Sequence, residues 1–304
     1  MLTSLQDVLL HAQGRGAKTM AVAWAGDEEV LLAVDQARQF SMIRPLLFGD
    51  QKQILSLSAR LGLSLADTEI VPCPDPTAAC AAALAAVAEQ RARILMKGLV
   101  DTGIILKELL RPDYQLIPSG RLLSHVALFE VEGYDRLLYV TDAAMNIAPD
   151  QEGKRQIILN AVAVAHFLGN DLPRVALLSA KEKVDEKIPS SVDAAALERL
   201  NGLGELSGCI VQGPLALDNA VSAAAARHKG IGGAVAGQAD ILVPATIDAA
   251  NILYKSLVYF ARAKNAGIVV GAKIPVVLTS RADSHEAKLY SIALAASMQE
   301  EGPQ

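Results

Sequence analysis

Aromatic side chains are scarce in this 304-residue chain, at 4 % of the total, so Ala, Val, Leu and Ile carry the apolar content. Chains of that make-up tend to bury parallel strands between helices. Positive charge is not in excess either: the formal net charge is −5, which leaves no basic footprint for nucleic acid or an anionic membrane. Any phosphate site must then be locally basic. No stretch reaches the ~18 uncharged apolar residues needed to span a bilayer, and MLTSLQDVLLHAQGRG lacks the flank, apolar run and cleavage site of a signal peptide. Cys73, Cys80 and Cys209 are odd in number and have no metal-ligand spacing. Cys73 and Cys80, near a strand end and a helix, are expected to be small buried residues, and a reducing, cytoplasmic compartment fits. H-E-x-x-H, G-x-S-x-G and zinc-spaced Cys–His pairs are absent, so no metal site is expected.

The chain does hold 52 % apolar residues, enough for a large core, and a length that sets a prior of about two domains. Short apolar runs recur at 20–25, 45–48, 94–96, 126–131, 137–140, 175–178, 210–211, 241–243, 268–270 and 276–278. Segments of helical period separate them. Asp27 precedes EEVLLAVDQARQF, Asp75-Pro76 precedes an Ala-rich helix, and Asp218 and Asp248 are read as opening two more. An acceptor at the N-cap and proline at N1 are start signals. The alternation predicts an α/β fold of βαβ units with a mostly parallel sheet.

Between residues 124 and 142 two strand-like runs are joined by EGYDR, too short for a helix. This predicts a hairpin, a feature that marks a domain edge or a dimer contact. A boundary is placed near Gly120, after PDYQLIPSG, and a return crossing near Asn265. The expected domains are 1–120 plus 266–304, and 121–265, with the active site in the cleft between them.

The most informative stretch for chemistry is PVVLTSRADSHEAKLYSIALA, 275–295. A buried strand ends at Thr279, and Ser280, Arg281 and Asp283 occupy the turn before a helix. Ligands of open α/β sheets bind at strand carboxyl ends, and a helix N-terminus suits phosphate. Arg281 adds a fork that can grip two phosphate oxygens. The same residues also read as structure: Asp283 with Glu286 is a D-x-x-E capping arrangement, and Arg281 an ion-pair partner.

In LMKGLVDTGIIL, 95–106, a strand ends at Lys97-Gly98 and Thr102 or Asp101 caps the next helix. Lys97 is either a point charge for phosphate or a solvated lysine beside a turn glycine. Arg121, Ser124 and His125 form a basic, hydroxyl-rich turn, with His125 equally readable as a satisfied histidine at a strand start. HKGIGGAVAG, 228–237, lacks both GK[ST] and G-x-G-x-x-G spacing and reads as a loop.

Seven phrases taken together resemble the phosphate acetyl/butyryltransferase family: LMKGLVDT, RLLSHV, TDAAMNIAPD, VALLSAKEKV, QGPLALDNA, ADILVPATIDAANILYKSL and LTSRADSHEAK. They occur in family order over about two-thirds of the chain, and SRADS-x-E-x-K is closer to the butyryl branch. The resemblance implies a two-domain fold like that of isocitrate and isopropylmalate dehydrogenases, commonly dimeric. It implies reversible transfer of a short acyl group, butyryl or acetyl, between coenzyme A and inorganic phosphate, with coenzyme A a substrate and no prosthetic group.

Site residues follow from the same resemblance. The family's phosphate-contacting serine–arginine pair falls on Ser280 and Arg281. The acetyl branch's proposed base falls on Ala287, so Glu286 or Asp283 must substitute. Lys97, Thr102, Arg121, Ser124 and His125 are the substrate-binding candidates. The chain is expected to work as a cytoplasmic homodimer without nucleic-acid or membrane partners. The rivals are a CoA-binding paralogue that has lost its base, and an NAD(P)-dependent hydroxy-acid dehydrogenase, which would need Asp218, Asp240 and Asp248 around a cation.

Overall fold

The computed structural model describes residues 1–65, 68–280 and 283–298. In chain order the elements begin with α1 (Leu5–Gln13), β1 (Lys18–Ala23), α2 (Glu28–Gln39), β2 (Ile43–Gly49), α3 (Gln51–Leu61), β3 (Glu69–Pro72), α4 (Pro76–Ala88), β4 (Ile94–Lys97) and α5 (Thr102–Leu109). Next come β5 (Ser124–Glu130), β6 (Leu138–Thr141), α6 (Gln151–Phe167), β7 (Arg174–Leu178), α7 (Pro189–Gly202), β8 (Ile210–Leu215), α8 (Leu217–Val221) and α9 (Ala223–His228). The last are β9 (Ile241–Val243), α10 (Ile247–Tyr259), β10 (Lys264–Val270), β11 (Val276–Val277) and α11 (His285–Ser297). Parallel pairings dominate the strands and helices flank them, an α/β fold. The chain divides into two compact units: Gln6–Arg121 with the chain from Ala266 onward, and Met1–Leu5 with Leu122–Asn265.

In the first unit the strand order is β3-β2-β1-β4-β11-β10. All its pairings are parallel except β10 with β11. Ala23 lies opposite Lys97 and Met96 opposite Val277, so the carboxyl ends of β1, β4 and β11 stand side by side. Ile94, Leu95 and Met96 are fully buried. At roughly 1.5–3 kcal/mol for each such side chain, they fix the strand that carries Lys97. Helix α11 is buried from Ala287 to Ser297 and packs on α2, so its position is set by its whole circumference.

The second unit orders its strands β5-β6-β9-β7-β8. Strands β5 and β6 form an antiparallel hairpin, with Val126 opposite Thr141 and Phe129 opposite Leu138. The remaining pairings are parallel. Phe129, Val140 and Leu242 lie in its core, and Tyr254 packs edge-on to Phe129 with ring centroids 5.2 Å apart.

Two local readings need correction. Strand β3 was not expected; it is a four-residue edge strand with two exposed positions, so it carries no apolar run to detect. Asp27 and Asp75 do cap α2 and α4, accepting from Val30 N and Ala78 N, but Asp218 and Asp248 are not caps. Ala216 and Thr246 hold those positions, because an earlier turn already closes the helix start. Thr246 Oγ1 accepts from Ala249 N, while both aspartates lie in the first turns, where the helix dipole favours them. Of the two candidates for the start of α5, Asp101 is the N-cap, without a side-chain capping bond, and Thr102 is the first helical residue.

Candidate active site

The carboxyl edge of the first unit's sheet gathers several of the candidates. Beyond β1 the backbone turns through Trp24 at φ 57°, a left-handed value that a bulky residue adopts only when its surroundings enforce it. The enforcing contact is Gly98: its N–H donates to Ala23 O, and Leu99 N–H donates to Trp24 O, each at 2.9 Å. A Cβ at Gly98 would stand 2.2 Å from Trp24 O, so only glycine permits this approach. The approach turns Lys97 inward. Lys97 is 3 % exposed, and its Nζ donates to Gly98 O and Val100 O at 3.2 Å. A solvated lysine is therefore excluded. Lys97 and Ser280 line one small pocket with Asp27, Gly98, Thr279 and Lys288.

The turn after β11 is closed in both directions. Asp283 N–H donates to Ser280 O at 3.2 Å, and Ser280 N–H donates to the Asp283 carboxylate at 2.7 Å. Asp283 thus braces the turn and does not cap α11. The cap is Ser284, which accepts from Ala287 N. Lys288 Nζ reaches back from α11 to Ser280 O at 3.4 Å and to Asp283 O. His285 N–H donates to Glu29 at 2.5 Å, tying the start of α11 to α2. Glu286 is exposed and accepts from Tyr290 Oη at 3.4 Å. Arg281 lies outside the described residues.

The other candidates are not drawn into this pocket. Thr102 opens α5 and is exposed, as is Arg121. Ser124 and His125 belong to the second unit and are buried. Ser124 Oγ accepts from Asn160 Nδ2 at 2.9 Å, and the His125 ring packs edge-on to Tyr254 at 6.0 Å. The 228–237 segment is the end of α9 followed by a loop, organised by Gln212, whose Oε1 accepts from Val235 N and Ala236 N. Asp218 pairs with Lys229 at 2.9 Å, and Asp240 accepts from Arg174 N at 2.8 Å. Among the described residues no cluster of three or more His, Cys, Asp or Glu is placed to hold a metal ion.

Sequence reasoning passed over Lys288. Its signal was a single lysine opening an otherwise apolar helix face, and periodicity alone assigns such a lysine to solvent. The three cysteines are free and buried. Burial pushes the Cys80 and Cys209 thiols up to about 11, so neither supplies a thiolate near neutrality. What remains is a small pocket at the carboxyl edge of the sheet, lined by two buried ammonium groups, Ser280 and the Asp27 carboxylate.

The carboxyl edge of such a sheet is where α/β proteins bind their ligands. Residues 75–296 match the family model described as "Phosphate acetyl/butaryl transferase". The chain is 46 % identical to a phosphate butyryltransferase of Clostridium beijerinckii over 97 % of its own length and 98 % of that protein. It is 50 % identical to a "Probable phosphate butyryltransferase" of Bacillus subtilis, covering 98 % of each. A branched-chain phosphotransacylase structure from Enterococcus faecalis V583 superposes at TM-score 0.82 and 39 % identity, over 92 % of this chain and 98 % of that one. The chain belongs to the phosphate acetyl/butyryl transferase family.

Proposed function

We propose that this protein is a phosphate acyltransferase that moves a short acyl group reversibly between coenzyme A and inorganic phosphate. The observation that carries this reading is the pocket in which Lys97 and Lys288 meet the Ser280 turn, in a chain of this family. In the CoA-acylating direction the thiolate attacks the acyl phosphate carbonyl. A C–S bond forms, the C–O bond breaks, and phosphate leaves with its electron pair. In reverse a phosphate oxygen attacks the thioester and the thiolate departs.

Ser280 and the amino end of α11 bond the phosphoryl oxygens, and Arg281 neutralises the charge that grows on them. A free thiol has pKa ~8.5, so only a few per cent is ionised near neutrality. A carboxylate base in reach is worth ~10²–10⁴-fold. Glu286 is assigned that role, because Asp283 is already engaged with Ser280 N–H. Thr102 and Arg121 are assigned to substrate binding, and Ser124 and His125 to holding the strand that follows Arg121. The raised cysteine thiols favour direct transfer in a ternary complex over an acyl-enzyme.

Names among the relatives favour a butyryl-type or branched acyl chain. The two units, each with mostly parallel strand pairings, support a scaffold of the isocitrate/isopropylmalate dehydrogenase type. The three free thiols support a reducing, cytoplasmic setting. Ile252 and Phe260, at and just beyond α10 and 68 % and 88 % exposed, support a homodimer.

The test is thiol release from acetyl-, propionyl-, butyryl- and branched acyl-CoA, with and without phosphate, alongside Arg281→Ala. Phosphate-dependent release that is largely lost in the variant supports the reading. Full turnover by Arg281→Ala removes that residue from the mechanism. Coenzyme A binding without release from any donor leaves a non-catalytic relative.

A further inference from the structure

Lys288 is 3 % exposed and is the one charged residue among the buried residues of α11. Its ammonium reaches only the carbonyl oxygens of Ser280 and Asp283, and among the described residues it forms no ion pair. Two carbonyls satisfy two of its three N–H donors and none of its charge. A buried cation with neutral partners is costly unless an anion completes it. Asp27 lines the same pocket and accepts from Val30 N, and Asp283 accepts from Ser280 N, but neither carboxylate lies within ion-pair distance of Lys288. The same pocket is lined by Lys97 and Ser280, so a second ammonium and a serine stand beside it.

We propose that Lys288 is a phosphate-binding residue, its ammonium supplying counter-charge to the phosphoryl group while it holds the Ser280–Asp283 turn. The assignment rests on the acyltransferase reading. It separates two jobs for one side chain: hydrogen bonds to the turn, and charge toward the anion. A hydrogen-bond donor without charge can do the first job only.

Lys288→Gln keeps a donor for the turn carbonyls, and Lys288→Met keeps only the length. Each is compared with the wild type in butyryl-CoA phosphorolysis and in stabilisation of the CoA-free protein by inorganic phosphate. The expected result is a phosphate KM raised about tenfold or more in both variants, as for loss of one charge-assisted bond, with butyryl-CoA KM within about twofold. Phosphate stabilisation weakens in parallel, and Lys288→Gln melts close to wild type. A Lys288→Gln protein with unchanged phosphate KM overturns the proposal and leaves Lys288 a structural brace. Absence of phosphate-dependent release in the wild type sinks the acyltransferase reading instead.

Discussion

Replacing Gly98 by alanine probes the construction of the pocket most directly. The added Cβ would stand 2.2 Å from Trp24 O and 2.7 Å from Ala23 O, where ordinary contact begins near 3.4 Å. Both obstacles are backbone, in a segment already held at a left-handed φ, so no side chain can swing aside. The strands must part by about 1 Å, which strains the two hydrogen bonds at 2.9 Å. Overpacking costs about 1–3 kcal/mol and each weakened buried hydrogen bond about 0.5–1.5 kcal/mol. The sum is about 4 kcal/mol, or a fall of roughly 8–16 °C in Tm for a unit of this size.

Because Lys97 precedes Gly98, turnover should fall with stability. Gly103→Ala is the control. It meets nothing within 4 Å and sits inside α5, where alanine gains up to ~1 kcal/mol. Thermal unfolding followed by circular dichroism and the phosphate-dependent release assay give both readings. A Gly98→Ala protein with wild-type Tm and turnover would refute the close approach and the inward placement of Lys97 that depends on it.

Glu286→Gln is expected to lower turnover by 10²-fold or more and to flatten the acid limb of the pH–rate profile. An unaltered profile moves the base to Asp283 or a water. Native protein at pH 8 should react with none of its thiols in a disulfide-exchange assay and with all three in denaturant. Rapid labelling of the folded chain contradicts their burial. The unfolded Cys80 thiol ionises near ~8.5, whereas the folded one holds its proton to about 11. Its contribution to stability is thus complete below pH ~8.5 and fades as pH rises toward 11. Cys80→Ala should flatten the decline of Tm across that window.

Much of the architecture was legible because its causes are local. Apolar runs of strand length, the caps at Asp27 and Asp75, and the proline beside Asp75 depend only on neighbours in sequence, and so does the short link between β5 and β6. The placement of Thr279, Ser280 and Asp283 between a strand end and a helix was legible for the same reason. Two features could not be read this way. Edge strand β3 has too few buried positions to leave a pattern. The capping roles at Asp218, Asp248 and Asp283 went to other residues because each helix starts where the incoming backbone lets it.

The sequence by itself determined the succession of strands and helices and the residue types at the end of β11. Only the tertiary structure decided which of them meet. Parallel pairing of β1, β4 and β11 in one register brings Lys97 to Ser280 across more than 180 residues. The burial of α11 against α2 turns Lys288 from an ordinary helix lysine into a buried charge. Those outcomes rest on sheet register and on desolvation, which are properties of packed neighbours and have no signature along a single stretch of chain.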